Sequence, residues 1–135
     1  MSVCMPLIHR PNRTAGDGFA HITIGASVIL KPSISSTKLS ESVQNAWIRL
    51  RHYAPLIALR TQQGGNDNDT FYTYESSKTS DVAAKWAKDT IKWEKEEKTM
   101  DARDLDLKER WWGPEDHWNT EVHIGPGPEG RLHFM

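Results

Sequence analysis

Hydrophobic positions recur at helical spacing across residues 39–54, and the rest of the chain can be placed around that stretch. With Leu39 at the origin of a helical wheel, Val43, Ala46, Trp47, Leu50, Tyr53 and Ala54 share one side. Glu41, Gln44, Asn45, Arg51 and His52 share the other. Ser40 stands at a capping position, and Glu41 lies in the first turn, where the helix dipole favours an acid. Pro55 cannot continue the helix and drives Ala54 towards extended geometry. Leu56, Ile57, Ala58 and Leu59 follow with no polar position among them, the pattern of a strand covered on both faces.

Upstream the pattern changes to strict alternation. From Phe19 onward, Ala20, Ile22, Ile24, Ala26, Val28 and Leu30 point one way and His21, Thr23, Gly25 and Ser27 the other, as in a strand with one buried face and an antiparallel neighbour. Pro32 and the hydroxyl-rich run over 33–37 end it. Downstream, residues 62–69 are turn-forming and residues 70–75 (TFYTYE) read as a strand, so 56–75 form a hairpin. Ser80 opens a second helix whose stripe is Val82, Ala83, Trp86, Thr90 and Trp93, with Lys85, Lys88, Asp89, Lys92 and Lys95 in water. Core packing is the reading for Trp86 and Trp93. Residues 94–98 form a solvated charged run with Glu94 and Lys98 at i,i+4.

Residues 101–119 lack periodicity and read as a charged connector holding Trp111, Trp112 and Trp118. Residues 120–124 and 131–134 form a last hairpin around a Gly/Pro-rich turn. Amphipathicity sets its parity: Val122 and Ile124 share a face with Leu132 and Phe134, and Glu121, His123, Arg131 and His133 share the other. The elements together predict an α+β fold, a mixed or antiparallel sheet of about five strands with two main helices on one face. Residues 1–18 read as an extended arm and 19–135 as a single domain. The strand ending at Met135 is expected to leave an open sheet edge.

Composition adds constraints. Seventeen Lys and Arg balance eighteen Asp and Glu to a net charge of -1, interleaved rather than clustered, which argues against a nucleic-acid surface. No stretch approaches the ~20 apolar residues of a membrane span, and the first residues lack the shape of a signal peptide. One cysteine, Cys4, excludes an intramolecular disulfide and fits a reducing, cytoplasmic setting. Six tryptophans point to core packing or to a pocket for a hydrophobic small-molecule ligand, and the modest 37% of hydrophobic residues to a partner chain, a homo-oligomer or missing chain.

The polar face of the last hairpin is the strongest chemical candidate. His123, His133 and Glu121 are the acid–base candidates, because imidazole titrates near neutrality and a carboxylate can orient it. Arg131, His21, Trp112 and Trp118 are the substrate-binding candidates. The competing reading of the same face is a solvated hairpin with cross-strand charge pairs. Asp67 with Asp69, and Asp104 with Asp106, lack the further ligands a calcium or phosphate-metal site needs, so no metal is expected, and no motif calls for a cofactor. A P-loop, a dinucleotide fingerprint, a zinc-type Cys/His pair and a nucleophile elbow are all missing.

The order of elements, with SVQNAWIRLRHYAPLIALR in the central stretch and EVHI and GRLHF at the end, resembles the opening part of fungal CoA-dependent O-acyltransferases of the trichothecene 15-O-acetyltransferase type. These belong with the chloramphenicol acetyltransferase and condensation-domain proteins. The resemblance implies part of one lobe of that fold. The family's His-x-x-x-Asp motif follows the strand that GRLHFM resembles, and this sequence has none, so His133 does not inherit the catalytic role. The expectation is a shortened acyltransferase-like protein of fungal secondary metabolism that binds a hydrophobic natural-product intermediate and drives cyclisation or isomerisation with acid–base residues. The alternatives are a non-catalytic fragment or pseudoenzyme completed by a partner chain or homodimer, and a truncated CoA-dependent O-acetyltransferase.

Overall fold

A computed structural model describes residues 5–6, 22–63, 70–76, 79–110 and 117–135. They form an α+β arrangement of two four-stranded sheets and three α-helices among the described residues. The strands are β1 (Met5–Pro6), β2 (Ala26–Ile29), β3 (Leu59–Gln63), β4 (Thr70–Tyr74), β5 (Ile91–Trp93), β6 (His117–Trp118), β7 (Val122–Gly127) and β8 (Arg131–Phe134). The helices are α1 (Ser36–Tyr53), α2 (Ser80–Thr90) and α3 (Met100–Arg110). One sheet has the order β1-β4-β3-β6 and is antiparallel throughout. The other has the order β2-β8-β7-β5 and is mixed, because β5 runs parallel to β7. The single sheet of about five strands expected from the sequence is thus two sheets.

The central helix forms as expected but begins earlier. Ser35 is its cap, its side chain accepting from Lys38 N at 3.3 Å, so Ser40 lies inside the helix. The wheel is also rotated: Trp47, Ile48 and Arg51 turn inward, while Leu50 and Tyr53 face solvent, Tyr53 being 78% exposed. Pro55 then starts a short 3-10 turn, Pro55–Ala58, rather than a strand. Within it only Ala58 is buried and Leu56 is 69% exposed, so the doubly covered apolar strand is not present. A proline supplies φ suited to such a turn, and the extended chain resumes at Leu59. The hairpin follows as expected, with Leu59 opposite Tyr74 and Gln63 opposite Thr70.

Of the long alternating strand, only Ala26–Ile29 pairs, antiparallel to β8. Ile22 and Ile24, expected on the buried face, are exposed. The expected edge at the last strand is corrected as well: β8 lies between β2 and β7. Residues 5 and 6 of the expected arm pair with β4.

The core cluster is Ala58, Trp86 and Ala87, with Trp47, Ile48, Ile57, Tyr74, Ile91 and Trp118 packed around it. Trp47 and Trp86 stack at 5.6 Å between ring centres and 5° between planes. Trp47 Nε1 donates to Thr90 Oγ1 at 2.9 Å, and that hydroxyl donates to the Trp86 carbonyl at 2.8 Å. Helix α2 is capped by Thr79 and ends at Thr90. Trp93, expected on its stripe, therefore sits in β5 and is exposed. No helix among the described residues is long and apolar enough to cross a membrane.

Candidate functional site

The site is built on the β7–β8 pair. Its register places Ile124 opposite Phe134, Gly125 opposite His133, Pro126 opposite Leu132 and Gly127 opposite Arg131. This is the parity read from the sequence: Ile124 shares a side with Phe134 and Leu132, and His133 and Arg131 share the other. The polar side is not solvated, however. His123 and His133 are each only 4% exposed, and Arg103 of α3 lies against Gly125 on that face.

Helix α3 lies in the segment read as an aperiodic connector. Thr99 caps it, accepting from Ala102 N at 3.2 Å. Met100, Arg103 and Leu107 make its inner stripe, at i, i+3 and i+7. The central member of that stripe is an arginine, completely buried, whose Nη1 is ion-paired with Glu94 and whose Nη2 donates to the Pro126 carbonyl at 3.0 Å. Glu94 uses its other oxygen on His123, Oε1 to Nδ1 at 3.0 Å. The far ring nitrogen of His123 meets Glu121 Oε2 at 3.0 Å, and Lys92 Nζ stands 3.8 Å from Glu121 Oε1.

The result is a polar seam running Arg103, Glu94, His123, Glu121, Lys92. Both ring nitrogens of His123 face carboxylate oxygens, so both contacts are satisfied only when both nitrogens carry hydrogens. Along the seam basic side chains alternate with carboxylates, the arrangement in which partly buried charge is accommodated. Lys98 adds a more exposed clamp, with Nζ 2.6 Å from Asp106 and 3.2 Å from Glu96, while its backbone N–H donates to the Pro126 carbonyl at 3.1 Å. The hydrogen bonds to Asp106 and Glu96 hold the Lys98 ammonium above the usual lysine range. A raised lysine contributes stability that is complete below its unfolded pKa and is lost only as pH climbs through the folded value, so this clamp is constant at neutral pH.

Glycines make the seam fit. A Cβ at Gly125 would lie 2.6 Å from Arg103 Nη1, so only glycine lets the guanidinium rest on the strand. At Gly127 it would lie 2.2 Å from Cε1 and Nε2 of the His133 ring. His133 Nδ1 is buried without a hydrogen-bond partner. The Gly127→Ala variant is therefore expected to lose about 1–3 kcal/mol from overpacking. Most of that loss should vanish in a His133→Ala background, measured by a urea double-mutant cycle. Strictly additive losses would show that the ring does not lie there.

Of the residues singled out from the sequence, the structure brings Glu121, His123 and His133 onto one face, with His123 hydrogen-bonded to Glu121. Arg131 lies at the end of the pair nearest the turn, with Nε 3.8 Å from Glu129, an exposed contact of little energetic weight. Trp118 belongs to the other sheet, opposite Arg60, whose guanidinium lies 5.6 Å from its ring centre, and it packs on the core cluster. His21 and Trp112 lie outside the described residues, as do the Asp67/Asp69 pair, Trp111 and Asp116. Glu94 and Arg103 were missed, the first read as a solvated charge paired with Lys98 and the second as connector. The Met100-Arg103-Leu107 spacing was the available signal. Among the described residues no three His, Cys, Asp or Glu side chains are grouped to hold a metal ion.

The fold so described is acyltransferase-like. It matches the solved structure of TRI3 trichothecene 15-O-acetyltransferase from Fusarium sporotrichioides with a TM-score of 0.57 and 16% identity, over 82% of this chain and 25% of that one. No family model matches the chain, and no curated protein matches it by sequence. The chain spans a quarter of the length of the acetyltransferase, and at this identity the likeness concerns the fold.

Proposed function

We propose that this chain is a lobe-forming part of an O-acyltransferase-type protein of small-molecule secondary metabolism. A further polypeptide surface, from a second copy or another chain, completes its apolar faces and any site for acyl transfer. The observation that carries this reading is the excess of large apolar side chains left in water. Among the described residues Ile22, Ile24, Ile29, Tyr53, Leu56 and Leu105 are all more than half exposed, while the large hydrophobic side chains that are buried are Trp86, Leu107 and Ile124. Where such side chains adjoin, exposed apolar surface marks an interaction site. The hairpin chemistry supports the same reading, because His123 has both nitrogens committed to carboxylates and sits beneath α3. The isolated chain is expected to self-associate in sedimentation velocity, or to bind an apolar dye strongly, and to transfer no acetyl group from acetyl-CoA to a polycyclic alcohol. A dye-silent monomer at every concentration would sink the proposal.

One observation favours a second reading, the binding and acid–base conversion of a hydrophobic intermediate. His133 has an unpartnered buried nitrogen, and imidazole is a common general acid–base group. Product formation from a polycyclic substrate that His133→Ala abolishes and His123→Ala merely weakens would establish it.

A further inference from the structure

Arg51 belongs to the Arg51-His52-x-x-Pro55 stretch, and nothing in the reading above uses it. It stands near the end of α1 and is 4% exposed, although Leu50 beside it is exposed. The helix thus turns a cation inward where an apolar neighbour was available. A guanidinium has five N–H donors and keeps its charge at any physiological pH. Here Nη2 donates to the Glu75 carbonyl at 2.5 Å, and Cζ lies 4.8 Å from the Trp86 ring centre and 6.0 Å from that of Tyr74. Nε and Nη1 are buried with no hydrogen-bond partner. Among the described residues no carboxylate is ion-paired with it.

One carbonyl and two ring faces do not complete the donor set of a buried cation, and an apolar side chain would fill the same volume without the desolvation cost. A group that is negative and rich in oxygen would complete that set. We propose that Arg51 is an oxyanion-recognition site, taking the carboxylate or phosphate group of a small-molecule ligand at the seam between the ends of α1 and β4 and the body of α2. Trp86 and Tyr74 flank the guanidinium, which strengthens charge-assisted hydrogen bonds by keeping water away. The exposed Glu75 and Ser76 lie on the carbonyl side of the seam, so a ligand that shifts this short stretch reaches the free donors. The inference is independent of the association proposed above, since it concerns one chain and one small anion.

The test titrates the full chain with sodium phosphate and, separately, sodium succinate, against sodium chloride at equal ionic strength. The midpoint of thermal unfolding should rise by roughly 5–10 °C at an anion concentration a hundredfold above Kd. Arg51→Met should abolish that rise while keeping the packing on Trp86. A rise with phosphate alone assigns the phosphate source, and a rise with succinate alone the carboxylate source. An equal rise in Arg51→Met overturns the proposal, as does no rise with either anion. Should the methionine variant fail to fold, the Arg51 Nε–H resonance of the unmodified chain, identified by its loss in Arg51→Lys, decides the matter. It must move with one of the anions and not with chloride.

Discussion

Replacing Trp86 with alanine should cost about 3–5 kcal/mol. The side chain is almost fully buried and is the largest member of the core cluster. Its removal leaves a cavity walled by Trp47, Ala58 and Ala87, strips Trp47 of its stacking partner, and takes away the ring face beneath Arg51. The Trp86 indole nitrogen is itself without a partner, so no side-chain hydrogen bond is lost with it. The penalty is therefore one of packing. Urea denaturation of Trp86→Ala beside Leu56→Ala checks it, because exposed Leu56 should move stability by less than about 0.5 kcal/mol. Comparable losses at the two positions would mean that the core does not lie where the structure puts it. In a chain of marginal stability the alanine variant unfolds, and Trp86→Phe then gives a measurable, smaller loss.

Arg103→Met should cost about 3–5 kcal/mol for a different reason. The guanidinium balances Glu94, which sits largely out of water between Arg103 and His123. Without it one Glu94 oxygen loses its donor, the Pro126 carbonyl keeps only the Lys98 N–H, and α3 loses the centre of its inner stripe. Leaving a buried charge without its partner is what makes the single change expensive. Removing both charges should be milder, so Arg103→Met with Glu94→Gln is expected to recover part of the loss. Recovery in that double variant, read from urea midpoints, separates a charge effect from simple loss of side-chain contact. If the double variant loses the sum of the two single losses, the ion pair contributes nothing of its own.

Several features were legible because they depend on neighbours in sequence. The Trp47 helix, the Pro55 stop, the hairpin of β3 and β4, the helix opened near Ser80 and the parity of the last hairpin all follow from spacing and turn chemistry. The candidate site was half legible. Glu121, His123 and His133 were picked out by parity, but their surroundings were read as either water or ligand. The third outcome, cover by a helix, depends on α3, whose low apolar content hid it. Glu94 was hidden in the same way, since its partners lie 9 and 29 positions along the chain. The rotation of α1 was hidden too: the wheel weighs Leu50 and Tyr53 as buried, whereas α2 offers Trp86 to the side on which Arg51 stands.

The sequence by itself determined the α+β class, the local elements and which residues of the last two strands share a side, because backbone geometry and side-chain periodicity act over a few residues. Only the tertiary structure decided that there are two sheets, that β8 is interior, that an arginine and two glycines occupy the place of an apolar layer beneath α3, and that Arg51 is buried. Those outcomes are set by which surfaces meet, and a buried charge is tolerated only where distant chain brings its partners to it.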